Sequence, residues 1–273
     1  MRRPPRNSYT PAHAVAQATI KASLASQSLL RPRVTERVGS SGVYSGMKTL
    51  TLVVAAGLAF AGNAPAQVAT MDEGSFTITV NGERVGREDF RIRSTPGTNG
   101  PEVVATANVS YTNRRVLPQL SGDSAGVPVR YVVEVKDGSA SNERVDGVVG
   151  RGRVSARVKN SRGESANEFV VSHGALLIDD DVFHQYYFIT RRERPTGPVS
   201  VIVPRRNVQV TMRVADAGSE KLSIGGTQID ARRYTIADPG GADREVWVDA
   251  SGRLLKVAIP SRGIVALRDD PPR

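Results

Sequence analysis

The residues best placed to do chemistry lie together between Asp179 and Phe188. Three successive acids, Asp179, Asp180 and Asp181, run into Val182-Phe183-His184-Gln185-Tyr186-Tyr187-Phe188. Of the 6 Phe and 7 Tyr in the chain, four fall here, and His184 is one of only 3 histidines. Two readings of the run compete. In one, Phe183, Tyr186, Tyr187 and Phe188 line or gate an apolar cavity, with His184 and the acids at its mouth. In the other, the aromatics plug the core, which is what large aromatic side chains most often do.

Metal binding by His173, His184 and the three Asp finds no support in their spacing, which matches no ligand signature such as H-E-x-x-H. Adjacent acids diverge unless a loop folds them together, and calcium is the ion their oxygens suit. A nucleophile triad needs Ser or Cys, His and an orienting acid. The chain has no Cys and no G-x-S-x-G. Gly147-Val148-Val149-Gly150-Arg151-Gly152 has the look of a phosphate loop, but no helix follows to offer its N-terminus, so it reads as a bulge or bend. This reading assigns no catalytic residue, no metal and no cofactor. Trp247, the only Trp, alternates with Val246 and Val248. With the valines facing a core, it stands on the opposite face as a contact candidate, unless a strand or loop covers it.

These residues need a frame, and the frame is strand. Apolar and polar residues alternate with a period of two along most of the chain after Asp72. Phe76, Ile78 and Val80 precede Asn81-Gly82, a strong hairpin signal because both positions tolerate positive φ. The return strand, Glu83 to Ser94, carries Phe90 and Ile92 on one side. Val103, Ala105, Ala107, Val109 and Tyr111 form the next. Val129, Tyr131, Val133 and Val135 lead to a turn at Asp137-Gly138. Val154, Ala156 and Val158 follow, then Val208, Val210, Met212 and Val214. Ile224–Ile236, Glu245–Asp249 and Arg253–Ile259 complete the series.

One apolar face per strand implies an antiparallel sheet, and that face must be covered. The only helix candidate is Asp181 to Thr190, capped by one of the three Asp. The sheet therefore covers itself. The expected fold is all-β with one short helix, an antiparallel meander curled into a half-barrel or barrel, with a sandwich as the alternative.

Ahead of the strands, Met47-Lys48, the apolar run Leu50 to Ala61 and Ala64-Pro65-Ala66 have the three parts of a secretory signal peptide, with cleavage expected after Ala66. The run is shorter than the ~20 residues of a membrane span, and no Cys follows it to carry a lipid. Residues 1–46 are Arg-rich and acid-poor. They read as a disordered segment from an upstream start set too early, with an organelle transit peptide as another reading. The product is expected in the periplasm or secreted, as a single β-rich domain over 67–273. The leader also explains the charge. The whole chain is +10. Residues 1–66 hold eight basic residues and one acid, which leaves 29 basic against 26 acidic residues. A near-neutral remainder without aromatic-plus-basic motifs excludes nucleic acid as the expected partner.

The stretch Gly74 to Phe90, a short strand, an Asn-Gly turn and a Gly86-x-x-x-Phe90 strand, resembles the opening of LolA/LolB-like periplasmic half-barrels and allied exported domains. Glu245 to Pro260 resembles their closing hairpin. The resemblance implies an exported half-barrel whose concave face takes a lipid or acyl chain. It carries over no functional residue. The expected partner is a hydrophobic small molecule or lipid, bound by Phe183, His184, Tyr186, Tyr187, Phe188 and Trp247. A structural or interaction role with an envelope protein is the alternative.

Overall fold

The computed structural model describes residues 68–150, 152–171 and 174–273. The signal-like segment 47–66, residues 1–46 and His173 lie outside them. Among the described residues, no helix is long and apolar enough to cross a membrane.

The described chain is one continuous sheet of fifteen strands. Its first half is a run of hairpins: β1 (Ala69–Val80), β2 (Glu83–Gly97), β3 (Gly100–Tyr111), β4 (Arg114–Gly122), β5 (Pro128–Asp137), β6 (Ala140–Gly150), β7 (Arg153–Asn160) and β8 (Gly163–Val170). A short β9 (Leu176–Leu177) leads to a 3-10 turn at His184–Tyr186 and a single helical turn, α1 (Tyr187–Thr190). The second half is β10 (Gly197–Val203), β11 (Val208–Ile224), β12 (Thr227–Ala237), β13 (Arg244–Val248), β14 (Leu254–Ile259) and β15 (Ile264–Arg268). Asn81 and Gly82 both take positive φ, 50° and 89°, which sets the tight β1–β2 turn that the right-handed twist of the strands prefers.

The order across the sheet is β8 to β1, then β15 down to β9. The first and last strands therefore meet in the middle, Phe76 opposite Arg268 and Val80 opposite Ile264. The free edges fall at β8 and β9. Every pairing is antiparallel except that of β9 with β10. The sheet curls far enough that the Gln209 side chain of β11 donates to the carbonyl of Val170, the last residue of β8, at 3.1 Å. The segment from Ala175 to Thr190 runs through the enclosed space, and its large apolar side chains are all buried with the inward faces of the strands.

The fold is the expected one, all-β with one short helix, and several details differ from the sequence reading. Ile224 ends β11, which runs on from Val208, and the rest of the expected Ile224–Ile236 strand is β12, beyond a turn at Gly225-Gly226. Val129 is 49% exposed, because a register shift at Ser121/Gly122 displaces the start of β5 from its inward row. The Asp residues do not cap the helical turn, whose start receives no side-chain bond from its own neighbours.

The expected sandwich appears only locally. The distal half of the β11–β12 hairpin bends at an irregularity between Asp216 and Ser219, where Gly218 takes φ +90°. Beyond that bend the arm lies over the outer face of β13–β15. Ile224 and Ala231 of the arm pack there against Trp247, Leu255 and Ala258 in a second apolar cluster.

Candidate functional site

The 175–190 segment is held inside the sheet by buried charge as well as by apolar contact. Glu88 sits on the inward row of β2 with Phe90 and Ile92, and it is fully buried. Its carboxylate accepts the backbone N–H of Phe183 at 2.7 Å and of His184 at 2.9 Å. The His184 Nδ1 lies 2.6 Å from the same group. An ionised carboxylate only accepts, so Nδ1 is the donor in this pair. The imidazole is stacked 6.1 Å from the Phe90 ring, which in turn stacks on Phe76 at 4.9 Å. Glu88 thus does the capping that the Asp run was expected to do.

Asp179 has a different role. Its Oδ2 accepts from the Tyr131 hydroxyl at 2.9 Å and from Arg205 Nε at 2.8 Å. Its N–H donates to Gln185 Oε1 at 2.7 Å. Burial pushes the Asp179 carboxyl up to about 6, against the pull of Arg205 and the hydrogen bond from Tyr131. Burial likewise lifts the Tyr186 phenol to about 12, despite the Arg244 guanidinium beside it. Arg244 is itself buried and paired with Asp238 at 2.7 Å.

This arrangement decides the first question raised by the sequence. The interior is occupied by the chain itself. Expelling the segment would leave Glu88 without its donors and Tyr131 and Arg205 without Asp179 inside an apolar wrap, and breaking one buried pair costs about 3–5 kcal/mol. The expectation of an open concave trough is therefore corrected: His184 and Tyr186 are packed core residues.

The aromatic run instead reaches two opposite mouths. At one, a cavity of about 330 Å³ is lined by Ile78, Val80, Val85, Tyr111, Arg114, Asp181, Phe183 and Ile264. Its rim carries one ion pair, Arg114 to Asp181 at 3.3 Å, both partly exposed. At the other, about 300 Å³ is lined by Met71, Val103, Tyr187, Phe188, Arg191, Glu193 and the 124–126 turn. The mouths lie at opposite ends of the strands, since Met71 opens β1 and Val80 ends it. Phe183 thus serves one mouth, Tyr187 and Phe188 the other.

Trp247 joins neither. It does lie on the face opposite Val246 and Val248, but that face is not wet here. The β11–β12 arm leaves it 2% exposed. Its Nε1 donates to Glu220 on the arm, and the Lys256 ammonium sits 4.2 Å from the ring centroid.

A shallow trough of about 620 Å³ runs across the outer face of β5–β8. Its charges are interleaved, with Arg130 on Asp146 at 2.8 Å and Arg157 on Glu164 at 3.3 Å. Gly147 to Gly150 pair with β7 without a register shift, so the expected bulge is absent there, and the chain turns at Gly152, whose φ is 71°. Among the described residues, no three His, Asp or Glu side chains converge on one metal position.

Sequence reasoning missed Glu88 and Arg205. Glu88 had a signal, an acid in the same inward row as Phe90 and Ile92. Arg205 follows Pro204 in a loop and had none.

A family model described as a domain of unknown function, DUF6134, matches residues 151–267. That span covers the interior segment and the arm, and leaves β1–β6 outside. Among solved structures, the chain is similar to a beta-barrel-like protein of domain of unknown function DUF1849 from Brucella abortus. The identity is 10%, with 75% of this chain and 98% of that chain covered at a TM-score of 0.45. No curated protein matches the chain. Neither match is to a lipoprotein carrier.

Proposed function

We propose that the protein is an exported binding module that takes a small hydrophobic group at the Phe183 mouth of its plugged sheet. The observation that carries this reading is the apolar cavity of about 330 Å³ walled by Phe183, Ile78, Val80, Val85 and Ile264. Its volume is at the lower end of the ~300–1,000 Å³ of ligand sites, which are typically apolar with a few polar groups. It suits a single chain or ring and is too small for a diacyl lipid. Export rests on the signal-like segment at 47–66. The test is native mass spectrometry and organic extraction of the purified protein, beside a Val85→Trp variant that fills the mouth. A hydrophobic molecule bound one to one by the wild type and lost in the variant supports the reading. A wild type that stays empty when offered decanol and other neutral chains refutes it.

A role in contact with an envelope protein is the second reading, and the free edge at β8 favours it. Gly163–Val170 pairs only with β7, and Val170 is 76% exposed. Unpaired edges are templates for another strand. An envelope partner bound without lipid, and lost on Ala166→Pro, supports this reading over the first.

A further inference from the structure

The charges around the Phe183 mouth select the kind of molecule it takes, and this inference rests on the reading just given. The cavity is lined by one acid, one base and one phenol: Asp181, Arg114 and Tyr111. They differ in how firmly they are held. Asp181 has a short side chain on backbone fixed at φ +62°, in the left-handed region that Asp tolerates better than most residues. Arg114 has a long stem and a side chain 40% exposed, and its pair with Asp181 is a single contact at 3.3 Å. Such a guanidinium can swing into water at little cost.

The acids behind the wall are largely matched by partners of their own. Glu88 lies buried behind Phe183, bonded to its N–H. Asp179 and Asp180 lie one turn of chain away, matched by Arg205 at 2.8 Å and Arg206 at 3.7 Å. The Tyr111 phenol is pushed well above its ordinary range, first by burial and then by the charges of Asp181 and Glu88, against the weaker pull of Arg114 and Arg205. Tyr111, only partly buried, also brings an aromatic ring to the mouth, and aromatic rings attract cations.

We propose that this mouth binds a single-chain amphiphile with a cationic head, its chain against Phe183, Val85 and Ile264 and its head on Asp181 in place of Arg114. An anionic head would have to pair with the mobile Arg114 and leave Asp181 unpartnered beside Tyr111. The cation needs only the displacement of Arg114.

The test compares decyltrimethylammonium, decanoate and decanol by isothermal titration calorimetry, each below its micelle concentration, with the folded state of every variant checked by thermal melting. The cation is expected to bind at least tenfold more tightly than decanoate. Asp181→Asn, which keeps the left-handed backbone tolerable, is expected to abolish that preference, and Arg114→Gln to keep or increase it. Decanoate binding as well as the cation, or a preference that survives Asp181→Asn, overturns the proposal. In either case decanol binding that Val85→Trp removes leaves the hydrophobic-site reading standing. Failure of all three probes on the wild type overturns both.

Discussion

Glu88 shows what a single buried charge does here. It holds two backbone N–H groups and the His184 ring, so removing it leaves three donors unsatisfied inside the sheet. Glu88→Ala is expected to lower the unfolding free energy by about 3 kcal/mol or more, read from urea denaturation. A loss under about 0.5 kcal/mol, the size of a surface change, would mean the segment is not anchored there. Asp179 makes a prediction in pH. Its native carboxyl titrates near 6, above the ~4 of an unfolded chain, so the folded state holds the proton more tightly. Its contribution to stability is present below about 4 and is lost as pH rises through 6. The stability difference between wild type and Asp179→Asn is therefore expected to fall across that window and to flatten above it. Urea midpoints between pH 4 and 8 check this, and a difference that grows with pH contradicts it. At this scale the aromatic run stood out in the sequence, but its pattern left core packing and cavity lining as competing readings, because large apolar rings serve either. The partners of Asp179 were not legible, since Tyr131 and Arg205 reach it from 48 and 26 residues away.

Among the elements, the strands with strict alternation were legible and the compromised ones were not. The strand β4 carries Pro118 opposite Val133 in mid-sheet. Proline lacks the donor a central strand needs, and the β3–β4 register indeed skips the positions around it, resuming at Val109 with Val116. An edge strand such as β8 needs no apolar row, and its Glu164, Ser165, Ala166 and Glu168 gave no periodicity to read. The arm was hidden differently. Its first strand read only as far as Val214 because the mostly polar residues 216–221 break the alternation, and Ile224 read with the return strand across Gly225-Gly226. Its burial of Trp247 depends on a bend at Gly218 rather than on any pattern. The arm is also directly testable, since the chain has one Trp. Ile224, on the inner side of the arm, is 1% exposed. Ile224→Ala is expected to cost about 3 kcal/mol and to shift Trp247 emission to the red with faster acrylamide quenching. Unchanged emission would mean that the arm does not cover the ring.

Over the whole molecule, the sheet is a wrap whose contents are covalently its own. Period-two patterning established that the sheet must cover itself, but not with what. That depends on topology, because the interior segment leads from the edge strand β8 to β10 and forms the other edge, β9, on its way. With that segment in place, the aromatic run borders space among the described residues at the two ends of the strands. Hydrogen–deuterium exchange with and without decanol tests this central claim most directly. Added protection is expected in residues 78–85, 111–114, 181–183 and near Ile264, with 184–190 already protected in the free protein. Protection that appears instead across 184–190, from a free state in which that segment exchanges quickly, would contradict the account, because the interior would then be a cavity filled by ligand.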